Sequence, residues 1–109
     1  MSARIRRNFP LLRLLVNASP QQRKVILATA TDDLITAISE IAKNTLKGRI
    51  PLTPHQITAL KKKKAVVKKL CNKRIAVKTK RKLVAQSGGF IGSLIGIARP
   101  LLSGLLSSR

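Results

Sequence analysis

TDDLITAISEIAKNTLKG, residues 31–48, carries a start signal, a helical period and a stop signal in one run. Thr31 offers a side-chain acceptor to the unpaired backbone N–H groups of a first turn. Asp32 and Asp33 then fall at the positive end of the helix dipole. Leu34, Ile35, Ile38, Ile41, Ala42, Thr45 and Leu46 recur at three- and four-residue intervals and share one face. Lys47 suits the negative end, and Gly48 is a favoured residue just past a helix. The run predicts a helix over about 32–47.

The same signals recur on both sides. Upstream, Ser19-Pro20-Gln21-Gln22 reads as a capping box with proline at the first helical position. It opens a helix to about residue 30, with Val25, Ile26, Leu27 and Ala30 for burial. Before it, Pro10 begins a helix over about 9–17, with Leu11, Leu12, Leu14, Leu15 and Val16 as a broad apolar face. Downstream, Gly-Arg-Ile-Pro-Leu at 48–52 breaks the chain, and Thr53-Pro54-His55-Gln56 repeats the capped start. A helix from 54 to about 72 follows, with Ile57, Leu60, Val67, Leu70 and Cys71 on one side and lysines over most of the remainder. Like charges at i,i+4 repel, so its end is expected to fray without an anion. A short helix from about 77–79 to 86 completes the pattern, and no stretch alternates as a strand. The expected fold is all-α, a small bundle of four to five short helices. Three segments are expected: a helical domain at 1–60, a Lys/Arg-rich segment at 61–86 continuing the last helices, and an apolar, Gly-rich tail at 87–109.

Composition narrows the function. The 109 residues hold 23 Lys and Arg against three acids, a formal charge of +20. Asp32, Asp33 and Glu40 are those acids, so no acidic residue occurs from Ile41 onward. Phe9 and Phe90 are the only aromatics, which excludes modules that read bases by stacking. Cys71 is alone, which excludes an internal disulfide and a cysteine-based zinc site. It reads as a small core residue, or as a reactive thiol if Lys69 and Lys73 lower its pKa. His55 falls in a first helical turn with no partner for acid–base chemistry. No catalytic residue, metal site or cofactor is assigned, and an enzyme is not expected. The opening MSARIRRNFPLLRLLVNA resembles a signal peptide in outline, but Arg13 interrupts its apolar stretch, so a structural helix is expected.

Residues 61–82, KKKKAVVKKLCNKRIAVKTKRK, hold twelve Lys/Arg in twenty-two positions. Lys61, Lys62, Lys63, Lys64, Lys68, Lys69, Lys73, Arg74, Lys78, Lys80, Arg81 and Lys82 are the expected phosphate-binding set. Nothing in the block reads base edges, so the binding would be sequence-independent. KKKK at 61–64 and KTKRK at 78–82 also qualify as nuclear-import signals. The tail places Gly88, Gly92 and Gly96 four residues apart, a stripe that allows close helix approach and self-association. Its charge-free run from Ser87 to Ala98 is too short to span a bilayer. It would lie on a membrane surface or pack inside the bundle. A membrane-active protein, with the lysines on anionic head groups, is therefore the main alternative, and a host chromatin-like or ribosomal protein the next. Gly88-Gly89 reads as a helix C-cap or as a processing site.

A basic block followed by Gly88-Gly89-Phe90 and a Leu/Ile/Gly/Ala/Pro tail resembles the precursor of adenovirus core protein X, or mu. Pro20-Gln21-Gln22-Arg23 and Leu34-Ile35-Thr36-Ala37-Ile38 extend the resemblance to the minor core proteins of adintoviruses and Polinton (Maverick) elements. The resemblance implies condensation of viral double-stranded DNA within a virion core, a passage through the host nucleus, and contact with capsid proteins. It also implies cleavage by a virus-encoded cysteine protease at Gly89–Phe90. This chain has Gln86 where that protease usually takes Met, Ile or Leu, and lysine where mu has mostly arginine.

Overall fold

The computed structural model describes residues 2–48 and 52–97. They form helices α1 (Ala3–Arg7), α2 (Phe9–Asn17), α3 (Pro20–Ala28), α4 (Asp32–Leu46), α5 (Pro54–Lys62), α6 (Lys64–Cys71), α7 (Val77–Gln86) and α8 (Gly88–Ile97). The all-α architecture is as expected, but with eight helices rather than four or five. No helix among the described residues is long and apolar enough to cross a membrane.

The expected Ser and Thr N-caps are present. Ser19 accepts from the backbone N–H of Gln22, whose side chain accepts in turn from the Ser19 N–H. Thr53 and Gln56 repeat that box, and Thr31 caps α4 by accepting from Leu34 N–H. Gly48 follows α4 at φ +71°, a backbone conformation that side chains bearing a Cβ rarely adopt.

Helix α4 is the centre of the bundle. Leu34, Ile35, Ala37, Ile38, Ser39, Ile41, Ala42 and Thr45 are all buried on it, which is far more than one stripe. Helices α1, α6, α7 and α8 pack around it. Its two buried hydroxyls are satisfied locally, Ser39 donating to the Ile35 carbonyl and Thr45 to that of Ile41. Leu46, expected on the same face, is exposed at the helix end.

Three boundaries depart from expectation. The chain from 54 to 72 is two helices, separated at Lys63 (φ −111°, ψ 22°) inside the four-lysine run. Repulsion between lysines stacked at i,i+3 and i,i+4 disfavours a continuous helix there, and α5 buries no residue that would hold it straight. The C-cap after α7 is Ser87, and Gly88 opens α8 instead of ending α7. Helix α1 carries no apolar period. It is placed by the single buried side chain of Ile5 and by charge.

The tail, as far as it is described, lies in the core. Ile91, Leu94 and Ile95 are fully buried in the same cluster as Leu12, Leu15, Leu27 and Leu34. Helix α8 packs on α2, α3, α4 and α7, so the core runs across the expected segment boundaries at 60 and 86. Residues 98–109 lie outside the described residues.

Arg23 joins this tail to the front of the chain. It is buried, whereas Val25, expected on the buried face of the same helix, is exposed. Its guanidinium donates to the carbonyls of Leu15 (2.9 Å), Ala18 (2.9 Å) and Gly88 (3.3 Å). Those oxygens belong to the end of α2, the link to α3 and the start of α8. The guanidinium lies against Gly92, where a Cβ would fall 2.4 Å from Cζ. Gly92 is thus needed for an arginine, while Gly89 and Gly96 have open space around them.

Candidate nucleic-acid interface

The three carboxylates are all engaged with arginines. Asp33 accepts from Arg7 (3.0 Å) and Arg4 (3.1 Å), and Asn8 donates to it as well (2.8 Å). Glu40 accepts from Arg4 at 2.8 Å and from the Ser2 hydroxyl. Asp32 pairs with Arg81. Helix α1 is therefore clamped to α4 by charge, and α7 is tied to the start of α4. Helix-dipole stabilisation explains only part of why these acids sit where they do.

Hydrogen bonds from Arg7 and Asn8, with Arg4 beside them, hold the Asp33 carboxyl well below the ordinary carboxylate range. Its pairing therefore stabilises the fold fully above the unfolded value of roughly 4 and is lost as pH falls toward the lowered folded value. Acid is expected to release α1 before the core melts. Amide protection factors at residues 3–8, taken relative to the intrinsic exchange rate at each pH from neutral to below pH ~4, should fall there ahead of those of α4. In Asp33→Asn the acid-dependent part should be missing. Equal acid sensitivity in both chains would remove Asp33 from the clamp.

With the acids occupied, the basic block faces solvent. Ten of its twelve cations are exposed: Lys61–Lys64 at the end of α5 and start of α6, Lys68 and Lys69 on α6, Lys73 and Arg74 in the link, and Lys78 and Lys82 on α7. Helices α6 and α7 are neighbours that both pack on α4, so these charges cover adjoining helix surfaces. The other two are elsewhere. Lys80 is buried on the core face of α7 beside Val84. Arg81 is half-buried and held, its Nε donating to the Ala30 carbonyl at 2.9 Å while NH2 meets Asp32.

Comparison with family models, curated proteins and solved structures finds no match. The basic surface is chemically simple. It offers point charges on flexible stems, no aromatic platform, and no carboxylate within the block.

The remaining candidates change character in the structure. Cys71 is half-buried, and burial pushes its thiol up, against the opposing fields of Lys80, Lys43 and Lys47. Lys69 and Lys73, the sequence neighbours, are not the cations that act on it, and a reactive thiolate is not favoured. His55 is exposed in the first turn of α5, as its sequence position suggests. Among the described residues no group of His, Cys, Asp and Glu is arranged to hold a metal ion. Gly88, Gly89 and Phe90 form the first turn of α8, with Gly88 buried, Gly89 exposed and Phe90 packed against the core. Sequence reading gave Arg23 no part in the packing. Its only signal is the glycine four residues past Gly88, which means nothing until the two helices are seen together.

Proposed function

We propose that this protein binds double-stranded DNA without sequence preference and condenses it, as a minor core protein of an adenovirus-like virion or related viral element. One observation carries the reading: ten solvated cations on α5, α6, α7 and their links, with all three acidic side chains committed to Arg4, Arg7 or Arg81. Such a surface is neutralised only by an external polyanion. The described residues extend 33 Å in their longest direction, close to one turn of duplex, roughly 34 Å. One copy would thus lie along about one turn, and many copies would screen the repulsion between neighbouring duplexes. The resemblance to the mu-type precursors supplies the viral setting, passage through the nucleus, and the capsid and protease partners. The alternative of a membrane-active tail is less supported, because Ile91, Leu94 and Ile95 already occupy the core.

Affinity for a random-sequence duplex across a salt series tests this. Each phosphate neutralised contributes about −0.9 to the log–log slope, so about six contacts give a slope near −5 and a loss of about a thousandfold between roughly 50 and 200 mM salt. Shuffling the duplex sequence should leave the affinity unchanged. A shallow slope, or binding to anionic vesicles but not to DNA, would overturn the reading.

A further inference from the structure

Helix α7 carries a second stripe besides the one it buries. Val77, Lys80 and Val84 turn toward the core, whereas Lys78, Arg81, Lys82, Ala85 and Gln86 line an open groove of about 370 Å³ against Ala28 at the end of α3. The spacing i, i+3, i+4, i+7, i+8 keeps these five α7 residues on one helical face. The groove wall is mostly hydrocarbon, from Ala28, Ala85 and the stems of the longer side chains, three of which are cations. One of the three differs from the solvated lysines. Arg81 is oriented before any ligand arrives, because the Ala30 carbonyl and Asp32 hold its Nε and NH2. An arginine fixed in this way presents its remaining donors at low entropic cost, whereas a free lysine must be ordered on binding. Asp32 balances one charge, so the groove keeps a cationic excess from Lys78 and Lys82.

We infer that the α3–α7 groove seats a phosphodiester segment of the nucleic-acid backbone, with Arg81 as its fixed donor and Lys78 and Lys82 on its rim. The inference rests on the DNA-binding reading and adds to it. Most of the basic surface acts by charge alone, and this groove is the place where the backbone is held with defined geometry. No base edge is read there, so the seat orients the protein on the duplex without selecting a sequence.

Three full-length variants separate a seat from diffuse charge, each checked for an unchanged melting transition. Lys78→Gln/Lys82→Gln removes two groove charges, and Lys61→Gln/Lys62→Gln removes two from α5. Ala28→Leu fills the groove without changing any charge. Measured on a random-sequence duplex, Ala28→Leu should weaken binding roughly tenfold and flatten the salt slope by about one to two contacts. The groove pair should lose several-fold more than the α5 pair. If Ala28→Leu binds like the parent chain, or both lysine pairs lose equally, the groove is overturned while charge-driven binding stands. If the parent chain itself fails to bind duplex DNA, the underlying reading fails first. Vesicles of phosphatidylcholine and phosphatidylserine are the second arm. Groove-specific loss on vesicles with none on DNA would assign the groove to lipid head groups and overturn the inference.

Discussion

Gly92→Ala is expected to destabilise the fold by about 2–4 kcal/mol, although alanine is the better helix former by roughly 1 kcal/mol. The reason lies across the helix interface. The new Cβ would fall 2.4 Å from Cζ, 2.7 Å from Nε and 2.8 Å from NH1 of Arg23. A flexible arginine tip can ordinarily move aside. This one is buried and holds the carbonyls of Leu15, Ala18 and Gly88, and hydrogen bonds to a charged group contribute roughly 1.5–3 kcal/mol each. Moving the tip breaks some of them and strands a guanidinium away from water. Urea unfolding of the full-length chain measures the effect, as a lower midpoint at an unchanged m-value. A double-mutant cycle assigns it. In an Arg23→Met background, Gly92→Ala should be neutral or stabilising by up to about 1 kcal/mol. A neutral Gly92→Ala in the parent chain would mean that the guanidinium does not lie on Gly92.

Local signals were legible and long-range ones were not. Ser19, Thr31, Thr53 and Gly48 act on backbone groups within a few residues, so their roles can be read from the string alone. Helix α1 could not be. Five residues are too few for a period, and its position depends on Arg4 and Arg7 meeting carboxylates some 26 to 36 residues away. Helix α8 was open to two readings, because glycine lowers helix propensity and an apolar glycine stripe fits either a membrane surface or an interior. Packing against α2, α3 and α4 decides it. The basic block shows the same division. Its charge was plain in the sequence, whereas the burial of Lys80 and the capture of Arg81 depend on which face of α7 meets the core and on where α3 ends. A run of cations looks uniform until a helix sorts it into faces.

A chain ending at Gly89 is expected to lose the fold and keep its basic block. Ile91, Leu94 and Ile95 are fully buried, and burial of such side chains contributes about 1.5–3 kcal/mol each. Their joint loss, about 5–9 kcal/mol, is comparable to the whole stability of a small domain, about 5–15 kcal/mol. Their removal also uncovers Leu12, Leu15 and Leu27 beneath them. Far-UV circular dichroism should show reduced helicity and no cooperative melt. All twelve cations of the basic block lie upstream of the cut, so low-salt affinity for duplex DNA should fall by about tenfold, the groove contribution, and not be abolished. A cooperative melt in the truncated chain would show α8 to be dispensable. The same geometry bears on the proposed processing at Gly89–Phe90. That bond lies in the first turn of α8, where Ile91 N–H donates to the Ser87 carbonyl and Arg23 holds that of Gly88. A protease that takes an extended strand must wait for this turn to open, so cleavage should follow the population of the opened state. Gly92→Ala, which weakens the Arg23 contact, should then be cut faster than the parent chain under native conditions. Cutting would in turn make the opening irreversible, converting a folded basic protein into a flexible polycation.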